Sequence, residues 1–509
     1  MFASAGAFGL LGIESFRVDA QADVTRALPS FEIVGLPDAA VREARDRVRA
    51  AARNSGVSFP EGRVIVNLAP ADRKKAGSVY DLAIIAAVLR AQGIIHADTE
   101  QIGFVGELSL DGGVRAVSGV LPMILDAAAL GLREVIVPLG NAAEGAVVCG
   151  VPVYAADTLG AVLDHLAGKH RLPLCKEAAP HVPHSALPVP DLADVRGQHA
   201  AKRALTVAAA GLHNLLLLGP PGSGKSMLAQ RLPSILPPMS MEEQIESTKI
   251  FSAAGLLPEG VGLLTERPFR APHHTVSTAG LAGGGTSPRP GEVSLAHNGV
   301  LFLDELPEFS RAAMEGLRQP LEDGSVTIAR AAARVSYPSR VMLVAAMNPC
   351  PCGYYGHPTK SCTCRPEAIR RYLSRVSGPL LDRLDLHVEV PPVPYEHLAS
   401  HTAEENSASV RKRIAKARAM QAERFSGLGI TGNAFLPRSM LDRFCPVTDE
   451  GRRLLALAFD RLGLSARGYD RILRTARTIA DLDGCETISE VHLSEAVQYR
   501  TLDRKYWNH

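Results

Sequence analysis

The chain carries no excess charge of either sign: 55 lysines and arginines stand against 53 aspartates and glutamates in 509 residues, a formal net charge of +2. Balanced charge excludes a global basic field, so attraction to nucleic acid must come from local patches. Long apolar runs are missing too. None approaches the roughly 20 residues that span a bilayer, and the N-terminal MFASAGAFGLLGIESF has no basic segment ahead of its mildly apolar stretch. The expectation is a soluble cytoplasmic protein with no membrane partner. Low-complexity tracts and long internal repeats are also absent. Eight cysteines in a long chain of this type argue against a disulfide framework; four crowd into 350–364, and the other four are scattered and expected to be structural. What is plentiful is apolar material, 46% of residues, enough for sizeable cores in about three domains.

Residues 1–168 alternate β-rich runs (Phe31 to Val34, Arg63 to Leu68, Arg133 to Val137) with Ala-rich helical stretches (Asp38 to Arg53, Tyr80 to Gln92), the pattern of a self-contained α/β domain. Residues 169–190 are rich in proline and lack periodicity, which suits an extended linker. A second α/β region covers 191–395. From 402 to 509 the apolar residues recur at helical spacing, as in Ala403 to Phe425, Asp449 to Leu462 and Tyr469 to Leu482.

The most informative stretch is Gly219-Pro220-Pro221-Gly222-Ser223-Gly224-Lys225-Ser226. The apolar run Asn214 to Leu218 precedes it and a helical pattern from Met227 follows, so it sits at a strand-to-helix junction where backbone N–H groups converge on an anion. The loop is expected to cradle the phosphates of ATP, with Lys225 reaching the β and γ phosphates and Ser226 ligating Mg²⁺. A second apolar run, Gly299 to Leu303, ends in Asp304-Glu305. In that Walker B pattern Asp304 holds the Mg²⁺ shell and Glu305 activates the attacking water, because phosphoryl transfer depends chiefly on positioning and charge stabilisation.

With these motifs the chain resembles the YifB or magnesium chelatase-like family of AAA+ ATPases. The likeness runs through Leu28 to Pro37, Glu43 to Ala50, Val66 to Asp72, Arg270-Ala-Pro-His-His274, Leu317 to Gly324, Ala346 to Gly353, Ser377 to Asp385 and Ala476 to Leu482. It implies a multidomain α/β fold: an N-terminal Lon protease-like (ribosomal S5 domain 2-like) domain, an AAA+ P-loop NTPase domain and a C-terminal helical lid. By the same resemblance Asn348 is sensor 1, Arg383 is an arginine finger acting in trans in a ring, expected to be a homo-hexamer, and Arg467 is sensor 2, with Arg471 and Arg474 close enough to compete. Taken without the family, each arginine is an ordinary solvated charge.

The separation of Lys225 from Asp304 leaves room for an insertion, and Ala279 to Gly285 fits a flexible loop there. The family's clade also places a hairpin before sensor 1, here Ser325 to Pro338, with Arg330 and Arg334 near its tip as candidate DNA contacts; an inert structural hairpin is the plain alternative. Cys350, Cys352, Cys362 and Cys364 form two CxC pairs, the right number for tetrahedral Zn²⁺, with a redox-labile thiol cluster as the other reading and His357 able to replace a cysteine. The basic residues Lys360, Arg365, Arg370, Arg371 and Arg375 around the cluster also suit a DNA-contacting knob.

In the N-terminal domain, Pro70 to Gly77 falls where active Lon-like proteases carry their serine, and Lys75 holds its place. Ser78 is off the motif position, and the dyad lysine is replaced by an apolar residue, Leu121. Losing both members removes peptidase chemistry. The resemblance therefore implies an ATP-driven motor on single-stranded or branched DNA, a branch-migration helicase in natural transformation and recombination, with recombination proteins as partners. A rival reading is the ATPase subunit of a magnesium or cobalt chelatase. A third is a protein remodeller, whose pore would draw on Tyr337, Tyr354 and Tyr355.

Overall fold

The computed structural model describes residues 1–178, 190–285, 288–330, 333–394, 404–462 and 465–507. The chain forms two compact units, Met1–Ser185 with Met241–Thr265, and Ala186–Ser240 with Glu266–His509. The segment 241–265 thus leaves the sequence of the nucleotide-binding region to join the first unit.

The first unit is built on a seven-stranded sheet in the order Ser30–Val34, Arg63–Ala69, Glu14–Thr25, Phe2–Leu11, Ile102–Phe104, Glu134–Pro138, Val153–Ala156. Along Glu14–Thr25 the buried residues are Phe16, Val18, Ala20 and Ala22, the period of two that turns one face to the core. The helix Ala39–Asn54 starts at Asp38, whose carboxylate accepts the Val41 N–H at 2.9 Å. Asp81–Ala91 is buried along nearly its whole length. The helix Met241–Ala254 is fixed in this unit by Ser252, whose carbonyl accepts the Gly119 N–H at 2.9 Å and whose hydroxyl donates to Glu144 at 2.5 Å.

The extended linker expected over 169–190 is packed structure as far as 178. Leu172 and Cys175 are buried, Leu174 bridges to Tyr154, and Cys175–Ala178 is a short helix. Residues 179–189 lie outside the described residues.

The second unit holds a five-stranded parallel sheet, Phe269–Arg270, Val300–Leu303, Met342–Met347, Leu215–Leu218, Leu386–Glu389. LLLL, VLFL and MLVAAM are buried on both faces, which is why they read as unbroken apolar runs. Register pairs Leu218 with Met347 and Leu303 with Ala345, so the three central strands end at one edge. Ligands of open parallel sheets bind beyond that carboxyl edge. The C-terminal helices, among them Ser407–Arg424 and Ala466–Leu482, bury Val410, Ile414, Ala417, Ile472 and Ala476 in the same core as Leu215, Leu217 and Val344.

The stretch expected to be a flexible loop, Ala279 to Gly285, is folded. Ser277 caps a helix Thr278–Ala282, and Gly283–Gly284 pairs with Arg289–Pro290. The hairpin of Ser325–Arg330 with Ala333–Pro338 is present, its buried face made of the cross-strand pairs Val326 with Tyr337 and Ile328 with Val335. The four scattered cysteines divide: Cys175 and Cys445 are buried, whereas Cys149 and Cys485 are exposed, against the expectation that all four are structural. Among the described residues no helix is long and apolar enough to cross a membrane.

Candidate nucleotide-binding site

The loop between Leu218 and the helix Lys225–Gln230 turns through Gly222 at φ +76° and Gly224 at φ +91°, conformations that an L side chain resists. A Cβ at either position would meet nothing within 4 Å, so the loop faces open space on that side. Ser223 is buried, and among the described residues its Oγ has no hydrogen-bond partner. A buried unpaired hydroxyl inside a glycine-rich turn is a donor that an anion would satisfy.

Lys225 Nζ donates to the Gly219 carbonyl at 2.8 Å, to the Pro220 carbonyl at 2.9 Å and to Asn348 Oδ1 at 3.1 Å. Burial lowers the pKa of this ammonium, while the charges of Asp304 and Glu305 oppose the shift. Ser226 Oγ donates to Asp304 Oδ2 at 2.5 Å, and Asp304 Oδ1 accepts the Glu305 N–H at 2.9 Å. Beside the loop, five residues at three parallel strand ends therefore converge as a cation, a hydroxyl, two carboxylates and an amide, a set that fits a nucleoside triphosphate with its divalent ion.

Two features of this site were not assigned a role from the sequence. His274 Nδ1 lies 3.4 Å from Glu305 Oε2, its ring packed 4.0 Å from that of His273. The pairing of Phe269–Arg270 with Val300–Leu301 carries the two histidines to the Walker B edge. A cavity of about 540 Å³ opens beside Glu305 and Asn348, lined also by Glu308, Arg371, Tyr372 and Arg375. Arg371 and Arg375 were visible in the sequence only as charges near the cysteines.

Arg383 and Arg467 make no contact with the Lys225 group among the described residues. Arg383 is paired with Glu322 of its own chain, donates to the Pro379 carbonyl at 2.6 Å, and has a side chain only 10% exposed. Arg467 is exposed in the first turn of Ala466–Leu482, whereas Arg471 is buried 3.7 Å from Asp382 and 3.6 Å from Asp385. On the hairpin, Arg334 is exposed opposite Ala329, and the backbone of Arg330 pairs with Ala333; the Arg330 side chain lies outside the described residues.

Cys350, Cys352, Cys362 and Cys364 bring their sulfurs within 4.8 Å of one another. His357 is not among them: its Nδ1 accepts the Thr359 and Lys360 N–H groups at 3.1 and 3.0 Å. In the first unit, Lys75 is fully buried with its ammonium on the Pro70 carbonyl, Leu121 is buried in the core, and the Ser78 hydroxyl donates to Glu107.

Three family models match in series: "Subunit ChlI of Mg-chelatase" over residues 20–141, "Magnesium chelatase, subunit ChlI" over 191–398 and "Magnesium chelatase, subunit ChlI C-terminal" over 404–500. The chain is 46% identical to competence protein ComM of Haemophilus influenzae, covering 97% of this chain and 96% of that protein. It is 44% identical to the uncharacterized protein YifB of Salmonella typhimurium over the same shares. A more distant likeness, 25% identical, joins 60% of this chain to 85% of the magnesium-chelatase 38 kDa subunit of Rhodobacter capsulatus. The chain belongs to the magnesium chelatase-like AAA+ family that includes YifB and ComM.

Proposed function

We propose that this chain is an ATPase that drives movement along DNA, working as a branch-migration motor in a homo-hexameric ring. The observation that carries the ATPase reading is the convergence of Lys225, Ser226, Asp304, Glu305 and Asn348 at one sheet edge. The Gly219–Gly224 loop and Lys225 would hold the phosphates, Ser226 and Asp304 the Mg²⁺. When bound, Mg·ATP supplies the scissile phosphoanhydride and a divalent charge that offsets negative charge building in the transition state. Glu305 accepts the proton of the attacking water at its carboxylate, and His274 steadies that carboxylate from 3.4 Å. Asn348 fixes the Lys225 ammonium and presents its side chain to the same space.

Arg383 is the arginine finger in this reading and Arg467 the sensor of the lid. Arg383 is held by Glu322 within its own subunit, and a neighbour's site would draw it from that partner. The DNA reading rests on the hairpin, which buries one apolar face and leaves Thr327, Ala329, Arg334 and Ser336 on the other. A two-stranded element with a basic residue near its tip suits a phosphate backbone, where each neutralised charge releases counterions. The designation of the 46% identical relative as a competence protein supports the same direction. The Lon-like unit acts as a scaffold and not a peptidase: Lys75 stands in the nucleophile's place with its ammonium on the Pro70 carbonyl, and the Ser78 hydroxyl donates to the Glu107 carboxylate.

The likeness to a magnesium-chelatase subunit keeps an ion-insertion ATPase as the second reading. ATP turnover measured alone and with single-stranded, duplex and four-way-junction DNA separates the two. Stimulation by branched DNA, weakened in Arg330→Ala/Arg334→Ala, is the expected result. Absence of binding and stimulation by all three would remove the motor reading.

A further inference from the structure

The four-cysteine segment is not used by the proposed function, and its geometry is specific. Cys350 and Cys352 sulfurs are 3.4 Å apart, Cys350 and Cys362 3.7 Å, Cys352 and Cys362 3.6 Å, with Cys364 inside the same 4.8 Å cluster. A disulfide would bring two sulfurs to about 2.0 Å. Four sulfurs placed about 2.3 Å from a common tetrahedral centre stand about 3.8 Å from one another. The observed spacings match the second arrangement. The backbone is shaped for it: Gly353 turns at φ +84° immediately after Cys352, and the Tyr355 N–H donates to Cys350 Sγ at 3.3 Å.

The cluster is tied to the nucleotide site on one side and to the chain's last helix on the other. Cys350 follows Asn348 by two residues. Gly353 lies against the phosphate loop so closely that a Cβ there would fall within 3.0 Å of the Pro221 ring. Tyr355 meets Tyr506 edge to face at 6.1 Å.

We propose that Cys350, Cys352, Cys362 and Cys364 bind one Zn²⁺ tetrahedrally, forming a structural centre that fixes Asn348 and the tip of the phosphate loop. Four thiolates select a soft tetrahedral ion and fill its coordination shell, leaving no position for substrate or water. The centre clamps the chain without taking part in the chemistry. It sets the distance between Pro221 and Asn348, two points the phosphate site needs in fixed relation.

Metal analysis of the full-length protein, purified under reducing conditions without added metal, is expected to find about one zinc per chain. A mercurial thiol reagent should release it, and Co²⁺ exchanged into the wild-type protein should show intense thiolate-to-cobalt absorption in the near ultraviolet. Cys362→Ser and Cys364→Ser should lose the metal, whereas Cys149→Ser and Cys485→Ser, which alter exposed thiols elsewhere, should keep it. Zinc-stripped wild-type protein should bind a fluorescent ATP analogue about ten-fold more weakly and recover on adding Zn²⁺ back. The proposal is overturned if the reduced wild-type protein holds neither zinc nor cobalt, or if iron with acid-labile sulfide occupies the cluster. The wild-type cobalt spectrum decides the matter even where a cysteine variant does not fold.

Discussion

His274 Nδ1 and Glu305 Oε2 lie 3.4 Å apart, and Glu305 holds a left-handed backbone at φ +51° and ψ +47°. A non-glycine residue in that region carries strain of roughly 1–2 kcal/mol, and such strain persists where surrounding contacts fix it. The imidazole and the left-handed turn together aim the carboxylate that is assigned to the attacking water. Replacing Glu305 with Gln should lower kcat on the order of 10² to 10⁴ while ATP still binds. His274→Ala should lower kcat on the order of ten-fold or more, because a displaced base loses its alignment, with KM for ATP nearly unchanged. Steady-state hydrolysis alongside nucleotide titration checks both. Unchanged turnover in His274→Ala would remove the histidine as a positioning residue.

Gly353 links the cysteine cluster to the phosphate loop. Its φ of +84° and its closeness to Pro221 leave no room for a methyl group. Gly353→Ala should destabilise the second unit by about 1–3 kcal/mol, the range for overpacking a rigid contact. It should also weaken ATP binding, since relief of the clash moves the phosphate loop. Thermal unfolding and nucleotide titration test the pair of effects. A stable variant with weakened binding would locate the effect in the loop alone; full binding would show that Pro221 yields freely.

The residues of the candidate site were legible where local sequence alone dictates position. An apolar run followed by glycines and Lys-Ser, another followed by Asp-Glu, and a third followed by Asn348 can each be read without tertiary knowledge, because strands buried on both faces leave unbroken apolar runs. The hairpin at 325–338 was expected from the family resemblance, and its β-prone arms bear the pattern of one buried face, Val326, Ile328, Val335 and Tyr337. The departure of 241–265 into the first unit was not, because Met241–Ala254 has no composition that distinguishes it from a helix packed where the chain already is. Glycine content also outweighed a real signal at 279–285, where Ser277 caps a helix with its side chain on the Gly280 N–H at 3.0 Å. His274 ends the Arg270–His274 motif but carries no role there, since what defines it is the pairing of Phe269–Arg270 with the strand Val300–Leu303.

The guanidinium of Arg383 is held by Glu322 of the same chain, which allows its two candidate roles to be distinguished. As a finger acting on a neighbour, Arg383→Ala should lower turnover on the order of 10³ or more with ATP binding intact, whereas Glu322→Ala should leave turnover within a few-fold. As a purely structural ion pair, the two variants should behave alike, each lowering stability with little effect on turnover per folded molecule. Mixing Arg383→Ala with Lys225→Ala protein adds a further check: if the finger acts in trans, mixed rings contain pairings of an intact phosphate loop with an intact arginine, and turnover should partly return.

Asp385, two residues on from Arg383, ties the sheet to the C-terminal helix Ala466–Leu482. Its Oδ2 accepts the Asn214 N–H at 3.0 Å, His213 Nδ1 lies 3.5 Å away, and Arg471 approaches to 3.6 Å. Burial by itself would raise the pKa of this carboxyl, but His213, the Arg471 guanidinium and the Asn214 amide hold it below the usual range. A carboxylate whose folded pKa lies below its unfolded value of about 3.9 stabilises the fold above that pH and loses the contribution as pH falls through the folded value. Asp385→Asn should therefore cost about 1–3 kcal/mol at pH 7, where it removes one of the two carboxylates near the buried Arg471 and leaves Asp382 at 3.7 Å as the other. The gap between wild type and variant should narrow as pH falls below about 4, where the wild-type carboxylate takes up its proton. Denaturant unfolding of both proteins at neutral and acidic pH measures this gap directly, and a gap that does not change with pH would show that Asp385 is not ionised in the folded state.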